Sequence, residues 1–439
     1  MSGGNSQIPE AALIGVAADT DPARLRHRSL VAGVLGNFVE FFDWTVYAYM
    51  APVFAAQIFP AHDPTISLLL AFSTFGIGYV ARPLGAVIFG IYGDRLGRRN
   101  ALTLTILLMA GGSALVACAP TYASVGLVSP ALVLLARVIQ GFAAGGEGGS
   151  AQAYLTELGR PGTRGFTASL QQVSTGVSTL CALALSAYLT HALSAGQMAS
   201  TGWRVPFLLG AALGVAGLYL RRRATESGAF LAHRGEKPVF KTLLTQWRAV
   251  LLVTAIALFP STVYFTWQLY LPTYITSTTA LARDAALSIS TIGLLCYVVL
   301  VPLSAILSDR WGRRPMMIGY TVAALLWGYP TFIGLPSFAG NFTGALIVAV
   351  VGNVILAVMS GSLVACMAEM FSTSVRATGA GLAYAIAVVI SGGSFPTVVT
   401  ALLAERRFGA ILFYFSLIGL VSLIAYIVMP ETRLRRIED

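Results

Sequence analysis

The feature that most constrains this chain is a series of long apolar runs. They fall at about residues 30–58, 66–92, 101–119, 131–156, 166–190 and 204–220, and again at 249–275, 286–307, 315–334, 343–368, 377–403 and 409–429. Each is long enough to cross a bilayer as a helix, which takes about 20 predominantly apolar residues. Continuous runs of this length exclude a membrane β-barrel, whose strands read as alternating segments of about ten residues. Only 10% of the 439 residues are charged and 56% are hydrophobic. A water-soluble domain carries about 25% charged residues, so a soluble enzyme and a disordered chain are excluded. The reading is an all-α membrane protein of twelve transmembrane helices, six and six.

The placement of basic residues gives the orientation. The net charge of +10 would suggest nucleic acid in a soluble protein. Here Arg24, Arg26 and Arg28, the loops after the second, fourth and eighth runs, the stretch 221–248 and Arg433, Arg435 and Arg436 all lie on one side. Only Arg204, Arg283, Arg406 and Arg407 fall on the other, and Arg82 and Arg137 lie inside runs. Basic residues mark the cytoplasmic side, so both termini are expected in the cytoplasm, with no nucleic-acid partner. Residues 1–29 contain no apolar run preceded by basic residues, so insertion is expected to start from the first span. The expected division is a cytoplasmic tail 1–29, a six-helix bundle 30–222, a cytoplasmic connector 223–248, a second bundle 249–430 and a cytoplasmic tail 431–439.

The two halves repeat. Gly93-Asp94-Arg95-Leu96-Gly97-Arg98-Arg99 follows the second run, and Ser308-Asp309-Arg310-Trp311-Gly312-Arg313-Arg314 follows the eighth, 215 positions later. Glu157 with Arg164-Gly165 returns as Glu369 with Arg376-Ala377 at an offset of 212. Two pairs at nearly one offset imply two homologous bundles, and such transporters hold their substrate between the bundles near the midplane.

These loops resemble the signature of the major facilitator superfamily, as does Arg137 with Gln140-Gly141 in the fourth span. Other segments resemble its metabolite:proton symporter family, which includes citrate, α-ketoglutarate, shikimate and proline/betaine permeases. They are Gly36-Asn37-Phe38-Val39-Glu40-Phe41-Phe42-Asp43, Arg82-Pro83-Leu84-Gly85, Gly145-Gly146-Glu147, Trp203-Arg204-Val205-Pro206-Phe207 and Pro430-Glu431-Thr432. The resemblance spans residues 30–432 and implies alternating access by two pseudo-symmetric six-helix bundles. It also implies a cytoplasmic gate at the repeated loops, for which Asp94, Arg95, Arg98, Asp309, Arg310 and Arg313 are the candidates. Asp94, at the end of the second span, can pair with loop arginines or face a neighbouring helix end. Family members of this type are expected to work as monomers in the inner membrane.

A charge inside hydrocarbon costs at least about 2.5–3.5 kcal/mol, so each marks a partner or a task. The intramembrane charges are Glu40, Asp43, Arg82, Arg137 and Glu147, all in the first half. Asn37, Glu40, Asp43, Trp44 and Tyr47 share one helical face roughly 120° wide. Arg137, Gln140, Glu147 and Tyr154 share another, and such faces are expected to line a wet cavity. Asp43, Glu40 and Glu147 are the candidates for proton coupling. Arg137 and Arg82 are the candidates for an anionic substrate, with Asn37, Trp44, Tyr47, Gln140, Gln171, Gln172, Tyr264, Trp267, Gln268, Asn353 and Tyr384 as polar and aromatic contacts. A fixed ion-pair network within the first bundle is the competing reading of the same charges.

Cys118, Cys181, Cys296 and Cys366 form no CxxC pair and read as small buried hydrophobes, with neither disulfide nor metal site expected. No nucleophile–base pair or metal cluster is visible, so an enzyme is not expected. No Walker loop is present, so the proton gradient rather than ATP is the expected energy source, and no cofactor is expected. The expected function is import of a small organic acid, a di- or tricarboxylate or an aromatic acid, by proton symport. The alternatives are symport of a zwitterionic osmolyte held by arginine and an aromatic cage around Trp44, Tyr47 or Trp267, and proton-coupled efflux. The fifth span has Gly176 but no proline, unlike the Gly-Pro-rich fifth span of efflux antiporters.

Overall fold

A computed structural model describes residues 22–222 and 245–433, apart from 97, 158, 160–161, 339 and 373–374; side chains are described for fewer of them. The connector, most of both tails, and the side chains of Asp94, Arg95 and Arg98 lie outside the described residues. So does the side chain of Tyr154. Among the described residues the chain is helical, with no strand.

Twelve spans follow in order. Span 1 is Pro22–Ile58, span 2 is Pro64–Val80 continued by Arg82–Leu96, span 3 is Arg98–Cys118, span 4 is Val128–Glu157, span 5 is Arg164–Ala192 and span 6 is Val205–Arg222. The second set is span 7, Trp247–Thr278; span 8, Arg283–Trp311; span 9, Arg313–Ser337; span 10, Phe342–Glu369; span 11, Arg376–Ala404; and span 12, Phe408–Val428. Ten of these helices are long and apolar enough to cross a membrane, and span 3 adds the shorter apolar stretch Thr103–Cys118. The outward surface is apolar: Leu84, Val215, Val299, Leu326, Phe413 and Val428 are all exposed. In water a surface of this kind would aggregate.

Local chemistry sets the ends. Asp63 caps span 2 by accepting from the Thr65 N–H at 2.8 Å, with Pro64 as the first helical residue, where its missing N–H costs nothing. Ser194 and Gln197 form a capping box ahead of span 6. Arg204 donates to the carbonyls of Ala117 (2.7 Å) and Ala119 (2.6 Å) at the end of span 3. That placement suits a cation at a helix C-terminus.

Proline breaks are repaired by neighbours, as lipid offers no hydrogen bonds. Pro260 in span 7 has no N–H for the carbonyl of Ile256. Tyr426 of span 12 donates to that carbonyl instead, at 2.6 Å. One helical turn away, Ser422 donates to Ala255 O at 2.6 Å and accepts from Phe259 N–H at 3.0 Å. Spans 7, 9 and 11 each contain a π-helical stretch, Phe265–Tyr270, Pro330–Gly334 and Val388–Gly393. Prolines stand in or just beyond these stretches (Pro272, Pro330 and Pro396), where lost backbone bonds favour the wider turn.

Spans 2 and 4 touch backbone to backbone. A Cβ on Gly85 would lie 1.8 Å from Phe142 O, and one on Gly141 would lie 1.7 Å from Gly78 O. Only glycine permits this approach, and it holds Arg82 and Arg137 on neighbouring helices a short distance apart. The cysteine expectation is corrected in part. Cys366 is buried, but Cys118 and Cys181 are exposed on the outer surface and Cys296 is half-buried. An apolar run in lipid has no need to turn its small residues inward.

Candidate functional site

The buried charges of the first half assemble into two acid–arginine pairs. Glu40 of span 1 pairs with Arg82 of span 2. Asp43, one turn further along span 1, lies 3.2 Å from Arg137 of span 4. All four are nearly inaccessible, at 4% for Glu40, 5% for Arg82, 1% for Asp43 and 0% for Arg137. Trp44 stands between the pairs. Its ring is 5.3 Å from the Arg82 guanidinium carbon and 5.5 Å from that of Arg137. Tyr79 covers Arg82 at 4.8 Å and Tyr47 covers Arg137 at 4.1 Å. A guanidinium over a desolvated ring face gains about 2 kcal/mol.

The pairs differ in their surroundings. Glu40 and Arg82 line a cavity of about 30 Å³ between the two halves. Asn37, Gln152, Gln171, Gln172 and Thr175 of the first half and Met367, Gly381 and Tyr384 of the second complete it. Asn37 donates to Gln171 O at 3.1 Å and Thr175 Oγ1 at 2.9 Å, tying span 1 to span 5. Asp43 is not among the residues that line this cavity. Its carboxylate accepts from Ser113 of span 3 and, at 2.6 Å, from Gln140 of span 4.

Several other candidates lie outside this cavity. Trp267 donates to Thr331 Oγ1 at 3.3 Å and packs against Gly352. Asn353 donates to Ala349 O at 2.9 Å within its own helix. Tyr264 lies 3.4 Å from Thr179 across the interface between the halves. Gln268 is buried with neither amide atom partnered in the protein. Glu147 of span 4 is buried. The aromatic cage expected for an ammonium group does not form in this conformation. The faces of Trp44 and Tyr47 are taken by the chain's own arginines, and Trp267 is enclosed by second-half side chains.

Contacts join the halves at both ends of their interface. On the side of the termini, Asp309 of span 8 accepts from the first N–H groups of span 5, Gly165 at 2.9 Å and Phe166 at 3.0 Å. A carboxylate on a helix N-terminus meets unpaired donors and the positive end of the dipole. Asp309 also pairs with Arg313 at 2.7 Å, and Arg313 reaches Glu369 at 3.4 Å. Thr432 completes the cluster by donating to Glu369 at 2.6 Å. Glu431 caps span 9, accepting from Arg313 N–H (2.9 Å) and Arg314 N–H (3.0 Å). Burial opposes ionisation of Glu431, but the N–H groups of Arg313, Arg433, Arg314 and Thr432 outweigh it and hold its carboxyl below the usual range. On the far side, Tyr49 of span 1 donates to Gln268 O, and Arg283 of span 8 donates to Tyr49 O. The Gln268 carbonyl is free because Pro272 has no N–H to give it.

Sequence reading named no role for Ser113, Gln152, Thr175 or Arg283, and saw Glu369 only as part of the repeat. Ser, Thr and Gln are common in membrane helices and carry no signal by themselves. Arg283 was legible as a basic residue on the side where such residues are rare.

Residues 33–386 match the Major Facilitator Superfamily. The chain belongs to that family. It is 36% identical over 371 residues to the citrate-proton symporter of Salmonella typhi, covering 84% of this chain and 85% of that one. It is 33% identical over 409 residues to the alpha-ketoglutarate permease of Escherichia coli (strain K12), covering 92% and 94%. It is 30% identical over 437 residues to the proline/betaine transporter of Salmonella typhimurium, covering 95% and 86%. Among solved structures, the partially occluded, inward-open xylose transporter XylE from E. coli superposes with a TM-score of 0.75 at 17% identity. That match covers 93% of this chain and 99% of the other. It supports the fold of two six-helix bundles.

Proposed function

We propose that this chain imports a small organic acid together with a proton, by alternating access across the inner membrane. The observation that carries the reading is the Glu40–Arg82 pair, buried in a cavity shared by the two halves. A guanidinium there recognises a carboxylate, and the acid beside it offers a place for the proton. The similarity to a citrate-proton symporter and an alpha-ketoglutarate permease supports the same substrate class. A zwitterionic osmolyte is the weaker reading. Its ammonium group needs a free aromatic face, and the rings nearest the buried charges are already covered by arginine. The placement of basic residues supports cytoplasmic termini, and the protein works as a monomer without a cofactor.

The test is uptake of radiolabelled citrate, α-ketoglutarate and glycine betaine by reconstituted vesicles under an inward proton gradient. Accumulation of an acid that collapses with a protonophore supports symport of an organic anion. Accumulation of betaine alone supports the osmolyte reading. Protonophore-insensitive accumulation removes proton coupling.

A further inference from the structure

Resting on that reading, we propose that the cavity selects an organic acid that carries a hydroxyl group. Gln171 of span 5 is the specificity-determining residue: its side-chain oxygen, left by Asn37 of span 1 as a bare acceptor at the cavity, accepts from the substrate's hydroxyl. Asn37 is a positioning residue that fixes which way the Gln171 amide faces. An ionised carboxyl or an oxo group in the hydroxyl's place offers only lone pairs and leaves Gln171 unpaired.

A chain of hydrogen bonds sets that orientation. Asn37 Nδ2 donates to the backbone oxygen of Gln171 at 3.1 Å and to Thr175 Oγ1 at 2.9 Å. A backbone carbonyl only accepts, so the nitrogen of the Asn37 amide has to face it. The Asn37 oxygen is then the end that meets the other amide, and Gln171 Nε2 donates to it at 3.3 Å. Turning the Gln171 amide over would set oxygen against oxygen. Gln171 Oε1 is therefore the end left over, and it is buried with no donor in the protein. Gln152 Oε1 of span 4 is a second buried acceptor without a donor, and both glutamines line the same cavity. Buried side-chain polar atoms are nearly always bonded, so two bare acceptors on one cavity call for an occupant that donates.

The device lies wholly in the first half. Ser174 donates to Val34 O at 2.6 Å and Ser178 donates to Phe38 O at 2.7 Å, so spans 1 and 5 are bonded on both sides of Asn37. The cavity fits only a few water molecules, and a metabolite enters only when the halves part. Met367 and Tyr384 of the second half then leave the wall, while Asn37, Gln171 and Thr175 keep their bonds to one another. Asn37 precedes Glu40 by three residues, about 4.5 Å along span 1. The bare acceptors and the charged groups therefore border one space. That spacing suits an acid whose hydroxyl lies a few bonds from its carboxylate.

The test measures affinity by isothermal titration calorimetry of the full chain in nanodiscs, with pairs of compounds that differ by one hydroxyl. They are malate and succinate, citrate and propane-1,2,3-tricarboxylate, 3-hydroxybenzoate and benzoate, and carnitine and γ-butyrobetaine. A buried acceptor left unpaired weakens binding by about tenfold to a hundredfold. In wild type the hydroxylated member of a pair that binds is expected to be the tighter by at least about tenfold. In Gln171→Met that ratio is expected to fall to near unity, through lost affinity for the hydroxylated member alone. A merely structural role would weaken both members alike and leave the ratio unchanged. Asn37→Leu, which frees the Gln171 amide to turn over, is expected to narrow the ratio as well. A wild-type ratio near unity in every pair that binds overturns the proposal, because water then serves Gln171 as well as a hydroxyl does; this result needs no variant to fold. A wild-type ratio kept by Gln171→Met also overturns it. Preference for carnitine over γ-butyrobetaine with no acid bound upholds the hydroxyl site and refutes the organic-acid reading, and binding of none of these compounds overturns both.

Discussion

The contact between Asp309 and the start of span 5 yields a prediction whose size follows from the geometry. Asp309→Asn keeps one oxygen acceptor and the shape, but removes the charge. Gly165 N–H (2.9 Å) and Phe166 N–H (3.0 Å) bond separate carboxylate oxygens, so one then meets a neutral acceptor and the other faces the amide NH2. Each hydrogen bond to a charged group exceeds a neutral one by about 1 kcal/mol, and the helix dipole is no longer complemented. Hydration of the carboxylate in the open state offsets part of this. A net loss of about 2 kcal/mol is expected, which is a shift of about 30-fold in the closed-to-open ratio on the side of the termini. The assay is the labelling rate of a cysteine at Gln172, which lines the cavity, by an impermeant maleimide added on that side. The four native cysteines are replaced first, because Cys118 and Cys181 are exposed. Gly165→Ala should act the same way, since its Cβ would fall 2.8 Å from both Arg313 Nη1 and Asp309 Oδ1. Equal labelling in wild type and both variants would refute the reasoning that this contact keeps the halves closed.

Three further outcomes are expected. Arg283→Gln removes a charged hydrogen bond to Tyr49 O worth about 1.5–3 kcal/mol; a cysteine at Thr179 should then label at least tenfold faster from the side away from the termini. Gly141→Val places side-chain atoms where Gly78 O now lies, so size-exclusion profiles should show loss of the monodisperse protein. Glu431→Gln should lower the melting temperature at neutral pH by weakening the cap on span 9. Because the Glu431 carboxyl is held below its ordinary value of 4.5, its stabilisation is present above that value and disappears as pH falls through the lower folded value. The gap in melting temperature between wild type and Glu431→Gln should therefore close in acid.

Hydrophobicity made the spans legible within a few residues, save the start of span 1, whose helix begins at Pro22 ahead of the apolar run, because in lipid an apolar run of the right length has one stable form. The intramembrane charges were equally legible, since cost makes each of them conspicuous. Their partners were not. Helical spacing places Glu40 and Asp43 on one face of span 1, but which arginine each meets depends on how spans 2 and 4 approach. That approach is set by glycine contacts such as Gly85 against Phe142 O, which no periodicity reveals. The same holds for Pro430-Glu431-Thr432. Its motif was visible, yet only the fold brings Glu431 to the start of span 9 and Thr432 to Glu369.

The repeat makes the asymmetry of the halves meaningful. Both halves carry an aspartate loop, and the visible one, Asp309, ties its own half to a helix end in the other. The buried charges at the cavity are not repeated: the first half supplies Glu40 and Arg82, where the second supplies the uncharged Tyr384 and Met367. The π-helical stretches run the other way, in spans 7, 9 and 11 of the second half alone among the described residues. A rigid, glycine-packed first half suits ion pairs, which lose their value when their geometry loosens. A second half with wider, proline-marked turns has carbonyls, such as Gln268 O, that can take or release partners at small cost. The buried acid–arginine pairs stand in the half packed backbone to backbone by glycine. The π-helical stretches stand in the half whose backbone carbonyls are shared between helix and neighbouring side chains.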